Sequence, residues 1–274
     1  MIADLSVLIL TLNEEANLPQ ALASVTGWAN AVFVLDSGST DRTVEIANAQ
    51  GAKVFAHAFE NYSSQRKYAL RELPIETEWV LFLDADEWLP EDLKQEISAV
   101  IATRPEENGF LIARKLIWMG KWIRRGYYPT WILRLFRHGK GICGDRIVNE
   151  HVVVEGKTGS LKHPFVHEDR KGISAWIEKH NKYAEMEAAL LPGSRREDRG
   201  QLGGSQAERT QWMRANVWYC LPPLLRPFFY FFYRYVLRGG FLDGVAGLTY
   251  HFMQALWYQM LIDLKYLELR NSRK

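Results

Sequence analysis

Two carboxylates one residue apart, Asp84 and Asp86, follow the apolar run Val80-Leu81-Phe82-Leu83. Oxygen donors at that spacing, at the mouth of a strand, suit a divalent cation that also carries phosphate oxygens. Asp-x-Asp alone is a weak motif, and the same residues serve equally as a turn into the helix that Pro90 and Glu91 open. Other polar groups stand at similar places. The run 5–12 ends in Thr11-Leu12-Asn13-Glu14-Glu15, and the run 31–35 ends in Asp36-Ser37-Gly38-Ser39-Thr40-Asp41. Small residues and a glycine after a strand let backbone approach a ligand. Plainer readings stand beside these: Asn13, Asp36, Ser39 and Thr40 are helix-capping types, and a lone Arg66 is an ordinary solvated helix charge. Three strand ends in a row with polar residues on one edge favour a ligand site there.

Those groups need elements to hold them. Continuous apolar runs at 5–12, 31–35 and 80–83, with a shorter one at 53–56, read as strands buried on both faces. Helical spacing of Leu18, Leu22 and Val25, a helix over 63–73 carrying Gln65, Arg66 and Lys67, and a helix over 90–101 alternate with them. Strand and helix alternating at short spacing predict an α/β fold with a mostly parallel, doubly wound (Rossmann-like) sheet flanked by helices. Further strands are expected at 109–117, 131–136 and 147–152, then a long helix over 174–190.

The whole arrangement resembles the family 2 glycosyltransferases of GT-A fold, within them the bacterial lipopolysaccharide-core glucosyltransferase group. The residues that carry it are Leu10-Thr11-Leu12-Asn13-Glu14, Asp36-Ser37-Gly38-Ser39-Thr40-Asp41, Gln65-Arg66 and Asp84-Ala85-Asp86, whose order and spacing match together. The resemblance implies a nucleotide-diphospho-sugar donor, UDP-linked, held by Thr11, Asn13, Glu14, Asp36, Ser37, Arg66, Asp84 and Ala85. It puts Asp36 on the base, Arg66 by the diphosphate, Asp84 near the ribose and Asp86 on Mg²⁺ or Mn²⁺. Leu12 departs from the aromatic residue that many relatives carry. Looser likenesses continue through 179–184 and 241–247.

Glu150 lies inside the apolar run Ile147-Val148-Asn149-Glu150-His151-Val152, where an ionised carboxylate is costly unless paired or working. Inverting sugar transfer needs a carboxylate to take the acceptor's proton. Glu150 is the expected base, with Glu168 and Asp169 behind it; the plainer reading is an exposed residue of an edge strand. By resemblance His167 is a further metal ligand, against the plainer reading of a structural histidine. Arg134 and Arg137 are both candidates to reach the diphosphate. Trp118, Trp122, Tyr127, Tyr128 and Trp131, interleaved with Lys121, Arg124 and Arg125, suit sugar stacking and an anionic acceptor, or equally a packed hairpin.

Composition changes after residue 207. From there to residue 274 the formal charge is +5, against −3 for the rest. The expected division is 1–191 catalytic, 192–206 a flexible linker and 207–274 helical. Phe228-Phe229-Tyr230-Phe231-Phe232-Tyr233, bracketed by Arg226 and Arg234, is too short to cross a bilayer. Aromatic, basic, amphipathic helices fit a protein lying on the inner membrane surface, or helices packed on another subunit as a homo-oligomer. An acidic-to-neutral body with a basic, aromatic tail points to a membrane surface as partner and to no nucleic acid. Cys143 and Cys220 make no metal or redox spacing, which fits a reducing compartment, and the basic leader of a signal peptide is absent. The expected protein is a cytoplasmic, membrane-peripheral inverting glycosyltransferase acting on a lipid-linked or lipopolysaccharide glycan. Its rivals are a polyprenyl-phosphate glycosyltransferase, a nucleotidyltransferase, which Leu10 to Glu15 disfavours for want of a Gly-rich loop, and a non-catalytic membrane scaffold with a sugar-nucleotide fold.

Overall fold

Trp79 to Leu83 form an almost completely buried strand, each residue at most 2% exposed. The computed structural model in which this is seen describes residues 3–143, 152–194, 203, 209, 212–213 and 216–272. Glu150 and most of the 192–206 segment lie outside the described residues. In chain order the elements are β1 (Ala3–Thr11), α1 (Leu18–Val25), β2 (Ala29–Asp36), α2 (Thr43–Ala49), β3 (Lys53–Ala56), α3 (Tyr62–Glu72), β4 (Trp79–Asp84), β5 (Glu87–Trp88) and α4 (Glu91–Ala102). Then come β6 (Gly109–Trp118), β7 (Lys121–Trp122), β8 (Trp131–Arg137), β9 (Gly141–Cys143), β10 (Val152–Val154), β11 (Thr158–Ser160), β12 (Phe165–His167) and α5 (Gly172–Ser194). After them follow α6 (Arg226–Phe231), α7 (Gly244–His251) and α8 (Tyr258–Ser272).

The chain divides into two units, one of residues 1–117 and 129–172, the other of residues 118–128 and 173–274. The break therefore falls at Gly172 rather than at 191, and the 118–128 hairpin groups with the C-terminal helices.

In the first unit the main sheet has the order β3-β2-β1-β4-β8-β6-β12-β5. Its β3-β2-β1-β4 half is parallel, as the apolar runs predict. Beyond β4 it turns mixed: β8 is antiparallel to both β4 and β6. The side chains of β4 alternate between two cores. Trp79, Leu81 and Leu83 pack with Leu18, Leu22, Leu93 and Ile97 of α1 and α4, whereas Val80 and Phe82 pack with Leu8, Phe33 and Ala69 on the α3 side. A strand covered by helices on both faces has no polar face to present, so its polar residues collect at its ends. After β1 the chain moves outward to β2 and β3, then returns to β1's other side at β4. That reversal opens a crevice at the C-terminal ends of β1 and β4.

The second unit is helical apart from its hairpin, and buried polar contacts hold it. Arg226 and Asp263, 4% and 0% exposed, form an ion pair, and Asp263 also accepts the Leu224 N–H at 2.8 Å. Arg234 lies over the rings of Tyr127 and Tyr230 and donates to the Tyr230 hydroxyl at 2.7 Å. Its segment, Phe232–Leu237, is a turn of π-helix, as is Phe252–Trp257. His251 is fully buried and donates from Nε2 to the Arg125 carbonyl at 3.2 Å, which fixes the tautomer. Gly126 is required there: at φ +72° a Cβ would sit 2.6 Å from the Arg234 carbonyl oxygen and 2.7 Å from the His251 ring. Among the described residues no helix is long and apolar enough to cross a membrane.

Burial, and then the Arg234 charge, press the His251 pKa from 6.5 down to about 4. The folded chain thus holds fewer protons than the unfolded one between these values. The stability His251 contributes is present above pH 6.5 and is lost as pH falls toward 4. Thermal unfolding of the wild type and His251→Gln across that window should show the wild-type midpoint falling more steeply. Parallel curves would remove His251 as the cause.

Candidate active site

The crevice residues arrive through strand register. Thr11 pairs with Asp36 across β1 and β2, and Leu10 pairs with Asp84 across β1 and β4. β12 lies antiparallel to β5 with His167 opposite Glu87, and the Glu168 N–H bonds the Asp86 carbonyl at 2.9 Å. Residues more than 150 positions apart thereby meet at one edge.

Asp84 sits between two arginines. Arg134 Nη2 is 2.6 Å from Asp84 Oδ2, and Arg66 Nη2 is 3.7 Å from Oδ1. Burial works against the Asp84 charge, but Arg134 and then Arg66 outweigh it and hold the carboxyl down at about 2. The same Arg134 nitrogen is 2.6 Å from Glu87 Oε1, and Glu87 Oε2 accepts the Asp84 N–H at 3.0 Å. Glu87 has no exposed side-chain surface, and burial, with Asp84 and Asp86 close by, pushes it up to about 7 against the pull of Arg134. Ala85 is a core residue at 4% exposure, so the turn leaves Asp86 on the crevice side.

Asp86, Glu87 and His167 place potential ligand atoms within 4.8 Å of one another. Their donor sets differ. Both Glu87 oxygens are taken, one by Arg134 and one by the Asp84 N–H. His167 Nδ1 is buried without a hydrogen-bond partner among the described residues, 3.3 Å from Asp86 Oδ1. A buried ring nitrogen beside a carboxylate oxygen fits a divalent cation, so the residues present suit a metal held by Asp86 and His167.

The remaining sequence candidates do mainly architectural work. Asp36, 4% exposed, accepts from Thr11 Oγ1 (2.8 Å), Ser39 Oγ (2.5 Å), Gly38 N (3.0 Å) and Ser39 N (2.8 Å). These four bonds fill its lone pairs and fix the 37–39 loop. Ser37 donates its N–H to the Thr11 carbonyl. Asn13 is not a helix cap; at φ +54° it accepts the Thr40 N–H at 2.8 Å and donates its own to Ser39 Oγ, clasping two loops. Nor do Ser39 and Thr40 cap α2, since Asp41 takes the Thr43 N–H and hydroxyl. Glu14 is raised by burial and bonded to Lys171 Nζ (2.6 Å) and Asn17 (2.8 Å). Asp169 is bonded to Asn17 and to the Lys171 N–H, and Glu168 to Arg170 Nε. Arg137 is paired with Glu78 and stands opposite Trp79, at the far end of β4 from the crevice. A cavity of about 370 Å³ lined by His57, Asn61, Ser64, Lys67 and Arg71 opens on α3 away from these carboxylates. Sequence reasoning missed Glu87 and left Arg134 as one of two arginines. The available signal was a third acid directly after Asp-x-Asp and a cation within an apolar strand.

A reversing parallel sheet with an Asp-x-Asp turn at its switch point, closed by a histidine from a late strand, defines a GT-A-type sugar-nucleotide fold. Residues 6–140 match the family model described as Glycosyl transferase family 2, so the chain carries a domain of that family. An uncharacterized glycosyltransferase of Rickettsia bellii is 37% identical over 115 residues, 42% of this chain and 38% of its own, so the chain spans well under half the length of that relative. The lipopolysaccharide core biosynthesis glycosyltransferase LpsC of Rhizobium meliloti is 29% identical over 92% of this chain and 90% of its own. Among solved structures, S. aureus TarS (residues 1–349) is 17% identical over 98% of this chain and 92% of that one, with a TM-score of 0.46.

Removing Arg134 leaves Glu87 buried beside two other carboxylates. Arg134→Ala should cost about 3–5 kcal/mol, the usual range for breaking a buried pair from one side. Arg134→Lys should recover only part, because an ammonium lacks the planar fork. Urea midpoints of the two variants and the wild type would check this, and equal midpoints would show that Arg134 holds nothing together.

Proposed function

We propose that the protein is a metal-dependent inverting glycosyltransferase. It moves a sugar from a UDP-linked donor to a hydroxyl of a membrane-anchored glycan, such as lipopolysaccharide core, at the cytoplasmic face of the membrane. The observation that carries this reading is the meeting of Asp84, Asp86 and His167 with Arg66 and Arg134 at the sheet's switch point. The family supports sugar transfer, and the likeness to LpsC over most of the chain supports the acceptor class.

Asp86 and His167 would hold a Mg²⁺ or Mn²⁺ ion, whose charge would neutralise the leaving diphosphate. Arg66, 13% exposed on α3, adds a fixed cation where charge develops in the transition state. Asp84, kept ionised by its two arginines, accepts from a ribose hydroxyl. Asp36 acts by shaping the loop against which the base rests, together with Thr11, Asn13 and Ser37, while Glu14 ties that loop to Lys171. Glu150 takes the acceptor hydroxyl's proton as that oxygen bonds the anomeric carbon. The bond from that carbon to the diphosphate oxygen breaks on the opposite face, which inverts the configuration.

Titrating UDP into the protein by calorimetry, with Mn²⁺ and then with EDTA, tests the donor site. Binding should require metal and be lost in Asp86→Ala; binding unaffected by both would remove Asp86 from the site, and none at all would exclude UDP. A separate assay addresses the base. Glu150→Gln should lower the transfer rate about 10²–10⁴-fold with UDP affinity unchanged, the range for losing a positioned proton acceptor. An undiminished rate would point to a phosphate acceptor, which needs no base.

A further inference from the structure

The second unit carries an apolar surface that neither its own core nor the donor site uses. We infer that it docks on an anionic lipid surface through one patch, made by the Met119-Gly120 hairpin tip, the Gly240–Asp243 turn and the first turns of α7. This extends the membrane-facing part of the function proposed above, and rests on it only for the choice of an inner-membrane lipid.

Three contacts join the parts of the patch. Thr249 Oγ1, on α7, is 3.6 Å from Met119 Sδ and accepts the Trp118 indole N–H at 3.1 Å. The returning arm of the hairpin donates the Arg125 N–H to Asp243 Oδ2 at 2.8 Å. Positive φ at Met119 and Gly120 makes a tight turn that leaves Met119 at the tip, 72% exposed. Beside it stand Val245 at 70% and Leu242 at 62% exposure, with Leu237, Phe241 and Leu248 also exposed. Large apolar side chains at this density mark an interaction surface rather than scattered exposure.

Charge selects the occupant. Lys121, Arg124, Arg125 and Arg238 are exposed around these residues. Across 118–128 and 221–262 the one acid is Asp243. A second copy related by a two-fold axis would set this cationic rim against itself, which is unfavourable. A lipid surface meets both halves of the patch, with acyl chains for the apolar centre and anionic headgroups for the rim. The described helices are too short or too polar to cross, so the unit would lie in the interface.

The test is co-sedimentation of the full chain with vesicles of phosphatidylcholine alone or with added phosphatidylglycerol. Binding should be at least about tenfold tighter to the anionic vesicles and should weaken with salt. Leu242→Glu with Val245→Glu, and separately Lys121→Glu with Arg124→Glu, should each lower it about tenfold, leaving the melting temperature and Mn²⁺-dependent UDP binding unchanged. No binding, equal binding to both vesicles, or variants that bind like the parent would overturn the proposal. So would a dimer in solution that Val245→Glu dissociates, which would assign the patch to a second copy. Vesicle binding without UDP binding would instead sink the donor assignment and leave the docking surface standing.

Discussion

One guanidinium, Arg134, lies with a single nitrogen 2.6 Å from both Asp84 and Glu87, and the order of the crevice depends on it. Burying a cation or a carboxylate alone costs several kcal/mol, and only close pairing with full hydrogen bonding offsets that. Here each member is needed by the others. Glu87 closes the turn by accepting the Asp84 N–H, Arg134 neutralises Glu87, and Asp84 occupies the fork that remains. Arg134 also lies over the Phe165 ring, tying the trio to β12, the strand that delivers His167. With Asp84 and Glu87 both held on Arg134, Asp86 is left beside His167. One arginine therefore holds two of the three carboxylates of this turn and leaves the third beside the histidine.

The same division between scaffold and ligand runs along the whole edge. Asp36 accepts three hydrogen bonds from its own loop and one from Thr11, and Asn13, Asp41 and Glu14 each clasp a second loop. Loops bound in this way do not need to reorganise when charge appears near them. That is the condition for fixed dipoles and cations to favour a transition state over a ground state. Polar residues at a strand end can therefore matter to the chemistry without touching the substrate.

Much of this was legible in the sequence. The runs at 5–12, 31–35 and 80–83 have few alternatives to buried strands, and Arg66 lies 3.7 Å from Asp84 at the end of one of them. The features that were not legible share a cause. Arg134 and Arg137 look alike in sequence, and only the antiparallel register of β8 on β4 puts one in the crevice and the other beside Trp79. Asn13 has the composition of a cap, but its φ of +54° and its bonds to Ser39 and Thr40 follow from a loop 26 residues away. The boundary at Gly172 is hidden because α5 belongs with helices that follow it, its Ala184 and Ala188 packing on Tyr258 and Ile262. Each depends on a long-range pairing that local periodicity does not encode.

The C-terminal unit buries several charged groups beside its apolar core and leaves many large apolar side chains outside. Hydrophobic burial alone would not hold that arrangement, since it is non-directional and would draw Phe228, Phe232 and Val245 inward. Directional contacts resist it. The Arg226–Asp263 pair, Arg234 between two tyrosine rings and His251 on the Arg125 carbonyl each fix one short helix or turn to another. Glycines then bring the backbones close, so that a Cβ on Gly247 would run into the Gly240 carbonyl. Trp176, Tyr250 and Tyr258 are buried beside these polar pairs, with Trp118 packed on Trp176 and Tyr250. The apolar side chains left outside are surface that any covering partner would bury, with the gain that folding alone did not take.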